Sequence, residues 1–163
     1  RPYLELLADR ELGELMRIEY PEEAATLATA ETGRPEDRAI IDEAIARELS
    51  KKVEDLTEDD RKAVTILDLS GTVVADAGPL AGLTGLELLD LSGTVVADAG
   101  PLAGLTGLER LYLSGTGVAD AGPLAGLTGL RRLDISGTKF GKKTIKGLRK
   151  ALPKTTIIFK EEE

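Results

Sequence analysis

Between residues 64 and 140 the apolar positions follow one frame, L-x-x-L-x-L-x-x-T-x-V, which recurs every 22 residues. It is plainest at Leu86, Leu89, Leu91, Thr94 and Val96, and again at Leu108, Leu111, Leu113, Thr116 and Val118. Val64, Leu67, Leu69, Thr72 and Val74 fit it upstream; Leu130, Leu133, Ile135, Thr138 and Phe140 fit it downstream. The alternation predicts a short parallel strand with Leu89 and Leu91 turned inward and Asp90 outward. Leu86 and Val96 turn inward beside it. The Thr94 hydroxyl stands where it can bond the turn backbone. In the return segment ADAGPLAGLTG, Asp98 is the expected N-cap of one short helical turn, and Pro101 has the φ that such a turn wants. Leu102 and Leu105 are its apolar residues, with Gly104 and Gly107 as expected tight corners. One unit cannot bury its own leucines, so the units must stack. Adding the period once more lands on Leu152, Thr155 and Ile157, which predicts a fifth, degenerate strand near 155–159.

The flanks follow a helical period instead. Pro2 to Glu19 carries Leu4, Leu7, Leu15 and Ile18 near helical spacing, and Pro21 opens a second expected helix. Pro35-Glu36-Asp37 starts a third, with Ile40, Ile41, Ala44, Ile45 and Leu49 along it. Thr57 to Asp60 has the form of a capping box, with Asp in place of the usual Glu or Gln. Residues 35–63 are expected to cap the first repeat, because terminal repeats need a polar outer face. Residues 1–33 either extend that cap or belong to a neighbouring domain. After Phe140 the helical spacing of Ile145, Leu148 and Leu152 predicts a helix that replaces the short convex turn, ended by Pro153.

The strands L-x-L-S-G-T and the returns D-x-x-P-L-x-x-L-T-x-L resemble those of bacterial leucine-rich repeat proteins of the internalin-like class, over about 64–159. Thr stands where many such repeats place Asn. The resemblance implies an α/β repeat solenoid: a right-handed leucine-rich repeat with a short parallel sheet on its concave face. A helical N-terminal cap and a helix–strand C-terminal cap complete the expected fold. The expected division is 1–63 helical, 64–140 repeats, and 141–163 cap with acidic tail. Protein binding is implied as a habit of that family.

Composition narrows the chemistry. With no Cys and no His, thiol nucleophiles, histidine bases and the usual zinc and haem ligands are excluded. The lack of disulfides points to a reducing compartment such as the cytoplasm. No apolar run reaches the ~20 residues of a membrane span. Arg1 is not an initiating residue, so a longer parent is expected. No Ser/His/Asp set, paired acid–base carboxylates or G-x-x-x-x-G-K loop can be assembled, and neither an enzyme nor a cofactor is expected. Asp76, Asp98 and Asp120 stack in one row, but each stands alone; turn capping, not calcium, is the expectation. Charge is uneven: residues 64–130 hold seven acids and one base, whereas 131–160 hold one acid and ten bases. The cations of 142–150 are expected to form a solvated face.

Candidate function lies on the outward strand positions. The copies 70–91 and 92–113 differ only at Leu88 against Arg110 and Asp90 against Tyr112. Change is therefore concentrated on the concave surface while the frame stays constant, as in a binding surface varied on a scaffold. The expected rows are Ile66, Leu88, Arg110 and Arg132 beside Asp68, Asp90, Tyr112 and Asp134. Tyr112 between Arg110 and Arg132 has the composition of an interface hot spot. The bland alternative is cross-strand pairing of Arg110 with Asp90 and Arg132 with Asp134. The function expected is non-catalytic recognition of a protein partner by a monomer. Two rivals are a structural or engineered scaffold without a natural ligand, and polyanion binding through the basic C-terminal cap. Nucleic acid is not expected, because the repeats are acidic and carry no interleaved aromatics.

Overall fold

The computed structural model describes residues 34–160. The helices expected over Pro2–Glu19 and from Pro21 lie outside the described residues. The frame delivers five strands, β1 (Ile66–Asp68), β2 (Leu88–Asp90), β3 (Arg110–Tyr112), β4 (Arg132–Asp134) and β5 (Thr156–Ile158). They pair in parallel in chain order, forming one sheet. From β1 to β4 each residue pairs with the residue one repeat on, as Leu67 with Leu89 and Leu89 with Leu111. Leu67, Leu89, Leu111 and Leu133 stack as one inward row, at most 1% exposed. Full burial of each such side chain contributes about 1.5–3 kcal/mol. Leu86, Leu91, Val96, Leu102 and Leu105 of the same coil are equally buried and belong to one continuous core.

Turns close each coil through local bonds. Thr94 Oγ1 donates to the Leu91 carbonyl at 2.7 Å, and Thr72, Thr116 and Thr138 repeat the bond. The convex returns are short 3₁₀ turns, Gly78–Leu80, Gly100–Gly104 and Gly122–Leu124, with proline in the first positions. Asp98 does not occupy the N-cap, which is Ala99. It accepts the Gly100 N–H at 2.7 Å in an Asx turn one residue earlier; Asp76 and Asp120 do the same. Gly104 and Gly107 lie in tight turns as expected, closed by Leu105 N–H to the Leu102 carbonyl and Leu108 N–H to the Leu105 carbonyl. Left-handed backbone occurs at Gly93 (φ +68°) and its row mates Gly71, Gly115 and Gly137, not at Gly104 or Gly107. Each of these glycines follows the strand in Ser-Gly-Thr, where a side chain would strain the backbone.

At the front, α1 (Pro35–Glu48) puts Ile41, Ala44 and Ile45 into the repeat core, with Ile40 and Leu49 packed against it. Its Asp37 is 2% exposed and accepts the Asp76 N–H at 2.9 Å, tying the helix start to the first coil. The capping box opens α2 (Glu58–Ala63): Thr57 N–H donates to Asp60 Oδ2 and Asp60 N–H donates to Thr57 Oγ1. Lys51 Nζ lies 2.6 Å from Asp60 Oδ1, and this bond, with those from Thr57, lowers the Asp60 pKa to about 2. A side-chain hydrogen bond from Arg61 to Asp42 joins α2 to α1. At the far end, α3 (Lys142–Ala151) buries Ile145 and Leu148 and is followed by buried Leu152.

The fifth strand lies where expected, but its phase is shifted by two residues. Leu133 pairs with Ile157, not with Thr155. A ten-residue helix replaces the short 3₁₀ turn, so the last coil needs more chain to return to the sheet. Thr155 spends its hydroxyl on the Leu130 carbonyl at 2.7 Å.

Candidate functional site

The outward side chains of the five strands make one continuous face. Register places Ile66, Leu88, Arg110 and Arg132 in one row and Asp68, Asp90, Tyr112 and Asp134 in the other, as the sequence predicts. Neighbouring strands lie ~4.8 Å apart, so each row up to β4 spans about 14 Å. Ile66 is 45% exposed and Leu88 half-buried; Arg110 and Arg132 are exposed, and Tyr112 is half-buried. The first row therefore runs from apolar to cationic. Thr156 and Ile158 continue the two rows on β5. Sequence reasoning missed them because it carried the 22-residue period across a longer coil.

The pairs of the bland alternative do not form, neither Arg110 with Asp90 on the neighbouring strand nor Arg132 with Asp134 along β4. The carboxylates turn instead to the serine two residues on. Asp90 Oδ1 accepts the Ser92 N–H at 2.8 Å, and Asp134 accepts the Ser136 N–H at 3.0 Å. Asp68 accepts both the hydroxyl of Ser70 at 2.6 Å and its N–H at 2.9 Å, and these bonds lower its pKa. An Asx turn of this kind costs little entropy, whereas an arginine must be ordered over several rotors to reach across a strand. The cross-strand ion pair that does form is Arg131 with Glu109 at 3.6 Å, between exposed side chains. It is worth about 0–1 kcal/mol. At β3 the row is broken: Tyr112 has no carboxylate to offer Ser114.

Two exposed apolar side chains of the repeats escaped the sequence reading. Val73 is 74% and Val95 61% exposed, just beyond the strands, where the third copy has Gly117. Their signal was the row itself, an apolar residue at an outward position of the frame. Among the described residues, no group of three or more carboxylates is placed to hold a metal ion, and no helix is long and apolar enough to cross a membrane.

Coils of this kind, with parallel three-residue strands, Ser-Gly-Thr turns and 3₁₀ returns through Pro-Leu, define a leucine-rich repeat solenoid of the internalin-like type. The same fold is found in internalin InlF of Listeria monocytogenes, with a TM-score of 0.64, 23% identity, and coverage of 77% of this chain and 44% of that one. A leucine-rich repeat protein of Leptospira interrogans matches at TM-score 0.55 and 25% identity, over 64% of this chain and 28% of the other. The functional domain of Listeria InlJ matches at 0.58 and 20%, over 71% and 24%. The chain thus spans less than half the length of each. No protein-family model and no curated protein matches it.

Proposed function

We propose that the chain is a non-catalytic protein-recognition module whose concave sheet face engages its partner around Tyr112, Arg110 and Arg132. The observation that carries this reading is the broken aspartate row. Asp68, Asp90 and Asp134 each close a serine turn, and Tyr112 gives that bond up in a copy otherwise almost identical to its predecessor. A bond of this kind contributes about 0.5–1.5 kcal/mol. Departures from a local rule without local compensation concentrate at functional positions. Tyrosine and arginine also supply much of the binding energy at protein interfaces. Ile66 and Leu88 add an apolar shoulder, and Asp68, Asp90 and Asp134 keep an outer carboxylate oxygen for the partner.

The face is small. Five strands span about 19 Å and three residues run about 10 Å, well under the ~800 Å² per side of a standard interface. A single loop or peptide-sized epitope fits it, with flanking coil surface adding area. The near-identity of residues 70–91 and 92–113 favours one competing reading, a bare scaffold without a ligand. Affinity capture with the parent chain and with Tyr112→Ala and Arg110→Ala, followed by calorimetry on whatever is recovered, separates the two. Each truncation is expected to weaken binding by more than ~1 kcal/mol and to leave the melting temperature nearly unchanged. Binding that survives both truncations would place the contact away from Tyr112 and Arg110, and recovery of no partner at all favours the scaffold.

A further inference from the structure

The last strand and the last helix leave a second surface that the concave-face reading does not use. Between α3 and Phe159, which directly follows β5, lies an open groove of about 520 Å³, lined by Lys142, Ile145, Lys146, Arg149 and Phe159. Its floor is apolar: Ile145 belongs to the core and Phe159 packs against it only in part. Its rim is cationic, and residues 135–160 contain no acid at all. β5 ends the sheet, with no further strand beyond it among the described residues. Thr156 N–H donates to the Arg131 carbonyl and the Ile158 carbonyl accepts from Ile135 N–H, at the two ends of β4, so the alternation of the ladder turns the Ile157 N–H and carbonyl to the outer edge. The strand is flanked by Lys154 and Lys160, which discourage pairing with a neutral or basic edge and leave it open to an acidic one.

We propose that this groove binds an extended, acidic peptide segment bearing one apolar anchor side chain, independently of the concave face. The anchor would fill the space over Ile145 and Phe159. The acids would face Lys146 and Arg149, and the backbone would run beside β5 in the manner of an added strand. Charge complementarity selects against basic and neutral segments. The apolar floor, together with seven acids against one base over residues 64–130 in the preceding coils, selects against a long polyanion. The chain's own Glu161–Glu163 supply acid but no anchor.

The test is fluorescence anisotropy of the full chain with a labelled peptide of sequence Asp-Glu-Val-Phe-Val-Asp-Glu. Its controls are the same peptide with Phe replaced by Ala, a lysine-for-acid version, heparin, and anionic vesicles. Lys146→Glu combined with Arg149→Glu changes only exposed side chains and is expected to weaken binding at least about tenfold. Phe159→Ala and the anchorless peptide should each weaken it by a similar factor. Amide shift perturbations should map to Ile157–Phe159 and α3. Four results would overturn the proposal. One is absence of binding at millimolar peptide. A second is equal affinity for the anchorless peptide, or preference for heparin or vesicles over the peptide, either of which would mark a bare cationic patch. A third is loss of peptide binding in Tyr112→Ala but not in the charge reversal. The last is concentration-dependent self-association abolished by the charge reversal, which would make a second copy the occupant.

Discussion

Asp37 offers a test of how the front of the solenoid is held. It sits in the first turn of α1, 2% exposed, and accepts the Asp76 N–H at 2.9 Å, while Arg34 lies 3.8 Å from the same oxygen. Asp37→Ala leaves that N–H without its acceptor at a part-buried site, a loss of about 1–3 kcal/mol. Removal of an acid from the first helical turn adds about 0.3–1 kcal/mol. Asp37→Asn keeps an amide oxygen near the same place and loses mainly the charge. Because Arg34 is 53% exposed, that ion pair is worth at most about 1 kcal/mol. The Ala variant should therefore melt roughly 4–12 °C lower, and the Asn variant should recover more than half of the loss. Thermal melting and urea titration give the two magnitudes, and hydrogen exchange at the Asp76 amide reports the bond itself. Equal loss in both variants, or unchanged Asp76 exchange in the Ala variant, would refute this account of the docking.

Leu111→Ala should cost about 2–5 kcal/mol in chemical denaturation, because the side chain is fully buried in the stacked row. Asp90→Ala should cost about 0.5–1.5 kcal/mol, more than a merely outward residue would, since it removes the acceptor of the Ser92 N–H. Gly93→Ala should destabilise by about 1–2 kcal/mol because of φ +68°, whereas Gly104→Ala, with open space at its Cβ and ordinary φ, should be neutral or stabilising in the same titration. The Asp60 pKa is about 2 in the folded chain, below the ~3.9 of an unfolded aspartate. The folded state therefore holds its proton less tightly, and the contribution of Asp60 is complete above pH ~4 and lost as the pH falls towards 2. Melting temperatures across that window should fall less steeply in Asp60→Asn than in the parent.

The strands were legible because their cause is local and periodic. Leu89 and Leu91 must be buried, Asp90 must not, and the same requirement returns with every coil, so the spacing alone brought Ile66, Leu88, Arg110 and Arg132 into one row. The capping box at Thr57 and Asp60 was legible for the same reason: its partners are three residues apart. Choices between competing partners were not. An outward aspartate can meet an arginine across the strand or an N–H two residues ahead, and only the backbone geometry of the Ser-Gly turn decided for the N–H. Sequence could not pair Asp37 with Asp76 either, because a bond across 39 residues exists only once α1 has packed on the first coil. The left-handed turns at Gly93 and its row mates and the two-residue shift of β5 have the same origin. Composition names the residue types, and the path the chain must take to return to the sheet decides which of them bends and where the next strand begins.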